Sequence, residues 1–135
     1  MTQETTYQAH CNEDAPHEPR FYFSLQHNSW VLASNVYYKG NGIKLFIRKG
    51  FVTDLASVPF YVRPIINNTG RYNLAATVHD YLYEYKGVLP NGMVLPRKLC
   101  DKIFYDIMID DGVHPVKAEA MWLAVRTWFP NSFRF

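Results

Sequence analysis

From Arg20 to Val52 the chain runs in short apolar stretches rich in β-branched and aromatic residues. Phe21-Tyr22-Phe23, Trp30-Val31-Leu32, Val36-Tyr37-Tyr38 and Ile43-Lys44-Leu45-Phe46-Ile47 are separated by Gly40-Asn41-Gly42 and followed by Lys49-Gly50. Such side chains suit a pleated, half-buried surface, and Gly-Asn-Gly supplies turn chemistry. The stretch predicts an antiparallel meander of three or four strands.

The period then changes. Roughly from Arg71 to Tyr85, Pro96 to Asp110 and Pro115 to Trp128, apolar residues recur at spacings of three and four, which predicts three helices. Pro115 suits a first helical turn, where no amide donor is needed, and Gly112 marks the end of the second helix. The link from Lys86 to Leu95 holds Gly87, Pro90 and Gly92 and returns the chain, making the first two helices an antiparallel pair. The expected fold is α+β: an N-terminal antiparallel β meander followed by three helices, two of them that pair.

Between sheet and helices, Phe51 to Gly70 carries Pro59, Pro64 and Asn67-Asn68-Thr69-Gly70 and predicts an irregular connection, a place where function is often found. Residues 1–19 are polar and aperiodic, an expected N-terminal arm; 20–135 is read as a single domain, since 135 residues suffice for one core without metals or disulfides. The aromatic tail Asn131 to Phe135 is expected to pack back on the domain.

Composition narrows the function classes. With 48% hydrophobic and 19% charged residues, the body should be ordered. Fourteen basic residues against twelve acidic ones, with no run of either sign, do not suggest a nucleic-acid binder. Cys11 and Cys100 lack metal-ligand spacing and read as two unpaired thiols. No apolar run approaches membrane-spanning length, and Met-Thr-Gln-Glu-Thr-Thr lacks a secretory pattern. A soluble product made in the cytoplasm is expected.

The candidate chemistry lies on the helix pair. Ala75, Ala76, His79, Leu82 and Tyr83 fall on one face of the first helix, so His79 projects from the core-facing stripe. Asp101 shares a face of the second helix with Phe104 and Met108, which buries a carboxylate. A carboxylate buried alone is costly, while a His–Asp hydrogen bond satisfies both groups and sets which ring nitrogen keeps its proton. Asp101 would thus orient His79 as a general base, or the pair would simply lock helix register. Asp80, one residue on, points about 100° away and is available for another role.

A hard cation such as Ca²⁺ takes several oxygen ligands, and Thr53-Asp54-Leu55-Ala56-Ser57 places a second carboxylate among irregular backbone carbonyls. Asp54 with Asp80 could form such a site; alternatively Asp54 and Ser57 cap a turn ahead of Pro59.

Val52-Thr53-Asp54-Leu55-Ala56-Ser57-Val58-Pro59, Gly70-Arg71-Tyr72, Ala75-Ala76, His79-Asp80-Tyr81-Leu82-Tyr83, Asp101 with Phe104 and Met108, and Ala124-Val125-Arg126 together resemble an uncharacterised phage and prophage family, domain of unknown function 1353, from about Lys49 to Trp128. That likeness implies a phage context and no particular activity. More distantly, His-Asp-x-x-Tyr on one helix with Asp on an antiparallel one is similar to the core of phospholipase A2 enzymes, over Asp54 to Met108. The likeness implies His79 as general base, Asp80 as Ca²⁺ carboxylate, Tyr83 and Asp101 as the supporting network, and Asp54 with the Leu55 carbonyl completing the calcium site. The chain departs from that pattern: it lacks a Gly-rich calcium loop before the helix and the disulfides of secreted members, and it adds an N-terminal sheet.

Two functions follow. One is a phage-encoded hydrolase-like domain cleaving an ester, such as a phospholipid, with Ca²⁺ as the implied cofactor. The other is a non-enzymatic virion component or host-factor binder, made in the host cytoplasm, that keeps the helix pair as scaffold. A His79–Asp101 pair opening into a cleft favours the first; a sealed pair favours the second.

Overall fold

A computed structural model describes residues 19–53 and 73–128 of the chain. Strands β1 (Phe21–Ser24), β2 (Ser29–Leu32), β3 (Val36–Gly40) and β4 (Ile43–Ile47) coincide with the four predicted runs. In β4, Ile43, Leu45 and Ile47 are buried while Lys44 and Phe46 face out; in β3, Val36 and Tyr38 are buried opposite Ile47 and Leu45. This is the two-residue period of a strand with one face on the core. The β3–β4 turn places Asn41 at φ 51° and Gly42 at φ 78°. Two successive positive φ values match strand twist in a two-residue hairpin, which is why Asn-Gly stands there.

The four strands are antiparallel, as expected, but β2 and β3 do not pair, so they form no continuous meander. β1 pairs with β2, and the other edge of β2 is taken by β5 (Val52–Thr53), giving a sheet of order β1-β2-β5 beside a separate β3–β4 sheet. The residues ahead of β5 bring it there: the Gly50 amide donates to the Leu32 carbonyl at 2.7 Å, and the Leu32 amide to the Phe51 carbonyl at 2.8 Å. The Lys49 amide meanwhile donates to Asn35 Oδ1 at 2.8 Å. The connection expected to be irregular therefore begins with a short strand.

Helices α1 (Asn73–Glu84), α2 (Arg97–Asp110) and α3 (Pro115–Trp128) follow. α1 stops where Lys86 and Gly87 take positive φ and the Gly87 amide returns to the Leu82 carbonyl. α2 stops at Gly112, φ 87°, with the Val113 amide on the Met108 carbonyl and Val113 buried, a left-handed cap sealed by an apolar contact. His114 opens α3, its Nδ1 accepting the Val116 amide at 3.1 Å. α1 packs on α2 and also on β3 and β5, so Leu74 through His79 are all buried rather than one stripe. On α3, Ala118, Met121 and Val125 are core, whereas Trp122 is half-buried. The Trp128 side chain, residues 1–18 of the arm and the C-terminal tail lie outside the described residues.

Candidate functional site

Antiparallel packing of α1 on α2 brings His79 opposite Asp101 and Tyr83, one turn later, opposite Arg97, one turn earlier. His79 Nε2 lies 2.7 Å from Asp101 Oδ1. The Tyr83 hydroxyl donates to the same oxygen at 2.5 Å. The imidazole is held between the Tyr83 and Phe104 rings, at centroid distances of 4.1 and 4.7 Å. His79 is 4% exposed and Asp101 0%. The predicted trio is therefore assembled as expected, in the interior.

Two arginines complete it. Arg126, on α3, donates from Nη1 to Asp101 Oδ2 at 2.8 Å. Arg97 donates from Nε to the Tyr83 hydroxyl at 2.9 Å, and from Nη2 to the Val125 and Arg126 carbonyls at 3.0 and 3.2 Å. Those carbonyls belong to the last turn of α3, where no amide of the helix can reach them, so Arg97 ties three helices at one point. Neither arginine was assigned a role from the sequence. The available signals were the Arg97–Asp101 spacing of four, which puts both on one face of α2, and the presence of Arg126 beside the core position Val125.

Electrostatics follow from this wiring. Burial lowers the His79 pKa from its ordinary 6.5, outweighing the opposing pull of Asp101. For Asp101, burial alone would push the carboxyl up, but hydrogen bonds from His79, Tyr83 and Arg126 prevail and hold it below its ordinary range. Burial first, and then the neighbouring carboxylate, raise the Tyr83 hydroxyl well above 10, so it remains a donor. A neutral imidazole on an ionised carboxylate is the result.

Asp80 is half-buried on the adjoining face of α1. Asp54 and Leu55 lie outside the described residues, and with them the suggested Asp54–Asp80 pair. Ca²⁺ takes about six to eight oxygens, of which Asp80 supplies one carboxylate. Among the described residues no group of three or more His, Cys, Asp or Glu is placed to hold a metal ion. A groove of about 790 Å³ lies elsewhere, over α2 and α3, where Leu99, Tyr105 and Trp122 meet Lys98, Lys102 and Glu119; His79 and Asp101 do not line it. No described helix is long and apolar enough to cross a membrane.

In comparison with known families, residues 30–125 fit the family described as Protein of unknown function (DUF1353). The matched span begins in β2, takes in His79, Tyr83, Arg97 and Asp101, and ends one residue before Arg126. No curated protein and no solved structure matches the chain.

Proposed function

The chain belongs to the family of proteins of unknown function DUF1353, and on that premise we propose that its His79–Asp101 helix pair is a hydrolase-like centre acting on an ester, with phospholipids as the substrate class. One observation carries the reading: Asp101 Oδ1 receives both His79 Nε2 and the Tyr83 hydroxyl. The ring is thereby tethered through Nε2, and in this reading Nδ1, on its other side, takes a proton from water once the ring is uncovered. The hydroxide attacks the ester carbonyl, and Nδ1 returns the proton to the departing alkoxide. Asp101, kept ionised by Tyr83 and Arg126, stabilises the imidazolium formed in between. The distant likeness to the phospholipase A2 helix pair assigns the same roles to the same residues.

In this reading Asp80, with Asp54 and the Leu55 carbonyl, would hold Ca²⁺, which would supply a positive charge to a developing oxyanion. Calorimetric titration of Ca²⁺ into wild type and Asp80→Asn tests it: heat with the first and not the second supports the site, and no heat with either removes calcium. For the base, His79→Gln should abolish hydrolysis of ester and phospholipid substrates while the melting temperature stays close to wild type. Retained turnover, or a collapse of folding alone, would count against it.

A second reading is favoured by the burial of the pair: it is sealed, with His79 4% and Asp101 0% exposed, rather than opening into a cleft, and turnover requires that the ring be uncovered to water and substrate. Here the His79–Asp101–Arg126 wiring is a register lock, and the chain is a phage virion component or a host-factor binder with no activity of its own. A mass-spectrometric search of purified virions for this chain, together with absence of turnover in the folded wild type, would establish it.

A further inference from the structure

The β1–β2 hairpin is the least covered apolar feature among the described residues. Leu25, at its turn, is 88% exposed; Tyr22, Phe23 and Trp30 behind it are each about half exposed. Phe23 and Trp30 are directly paired across the strands and pack edge to face, centroids 5.5 Å apart and planes at 74°. From Phe21 to Tyr38 the sequence contains no Lys, Arg, Asp or Glu. An apolar projection of this kind in water costs free energy unless something covers it.

Charge tells what covers it. Between Pro19 and Thr53 stand Arg20, Lys39, Lys44, Arg48 and Lys49, and no acidic residue. Three of them mark the base of the hairpin. The Ala33 amide donates to the Arg20 carbonyl and the Lys49 amide to Asn35, and Gly50, two residues after Arg48, donates its amide to the Leu32 carbonyl. All three lie toward the Leu32 end, away from the turn at 25–28. A four-residue strand spans about 13 Å. That is roughly the depth at which a tip sunk about 5–10 Å past the headgroup boundary leaves its base level with the lipid phosphates.

We propose that the β1–β2 hairpin is a docking finger for anionic phospholipid bilayers, with Leu25, Phe23 and Trp30 entering the interface and Arg20, Arg48 and Lys49 meeting the headgroups. Trp and Tyr suit this depth because one end of each ring system is apolar and the other can stay wet. A single-stranded nucleic acid, the other polyanion that meets exposed aromatics, fits less well: Leu25 has no ring face for a base, and Phe23 and Trp30 pack on each other rather than standing apart to receive one. The finger does not depend on the catalytic reading, since adsorption requires no turnover.

The full-length protein is sedimented with vesicles of phosphatidylcholine alone and of phosphatidylcholine with phosphatidylglycerol, at low and high salt. Wild type should bind the mixed vesicles more tightly, with binding that weakens as salt screens the charges. Leu25→Asp should bind about tenfold more weakly with an unchanged melting temperature, because the residue is already in water. Arg48→Glu with Lys49→Glu should erase the preference for phosphatidylglycerol. No binding by wild type, or Leu25→Asp binding like wild type, would overturn the proposal. So would tight binding of an oligothymidylate that competes with vesicles and survives Leu25→Asp. His79→Gln should still sediment with vesicles, so loss of adsorption and loss of turnover are read separately.

Discussion

Arg126 Nη1 sits 2.8 Å from Asp101 Oδ2, pairing a guanidinium on α3 with a carboxylate that is 0% exposed on α2. The side chain of Arg126 is 28% exposed, so only one partner is fully removed from water. Replacing it leaves Asp101 with His79 and Tyr83 alone on its other oxygen. Arg126→Ala should destabilise the fold by about 2–3 kcal/mol, read by urea unfolding. An unchanged midpoint would show that the pair contributes nothing net.

Tyr83 links the two halves of the network, donating to Asp101 and accepting from Arg97. Tyr83→Phe keeps the ring against His79 but deletes both bonds, at an expected cost of about 1–3 kcal/mol. Hydrolysis, where measured, should fall less than in His79→Gln, because Asp101 still orients the imidazole. The comparison of the two variants on one substrate checks the order.

Acid should weaken the fold over two successive pH ranges. The folded His79 pKa lies below 6.5, so on acidification the unfolded chain takes up that proton first, and stability starts to fall once the pH passes below about 6.5. Asp101 is likewise held below its ordinary 3.8, so its contribution is present above that value and is lost as pH falls further. One such proton gives a slope of at most about 1.4 kcal/mol per pH unit. Unfolding free energies between about pH 7 and pH 5 should decline in wild type and be flatter in His79→Gln; equal slopes would remove His79 as the cause.

Cys100 is 0% exposed, and burial with the adjacent Asp101 pushes its thiol up to about 12. Since the thiolate is the reactive form, a Cys11→Ser variant should show no fast-reacting thiol at neutral pH until denaturant is added. Fast labelling of that folded variant would mean that the helix pair opens readily.

Much of this molecule was legible along the chain because it depends on local periodicity. Alternation in Ile43 to Ile47 and the Asn41-Gly42 turn specify a hairpin from neighbours alone, and spacings of three and four put His79 and Tyr83 on one face of a helix. Burial of His79 and Asp101 could be inferred for the same reason. The pairing of β2 with β5 could not, since a two-residue strand carries no period and its place rests on Gly50 and Phe51 bonding back to Leu32.

Sequence by itself determined the four longer strands, the three helices, their order and the two inward-facing groups that need each other. Only tertiary structure decided what neutralises Asp101: Arg126 stands 25 positions away, and its reach depends on how α3 docks, which no local pattern constrains. The same holds for Arg97, whose guanidinium turns from the carboxylate four residues on to the hydroxyl of Tyr83 and the open carbonyls of α3. A long, flexible cation takes whichever acceptors packing presents, so its partners exist only once the helices have met.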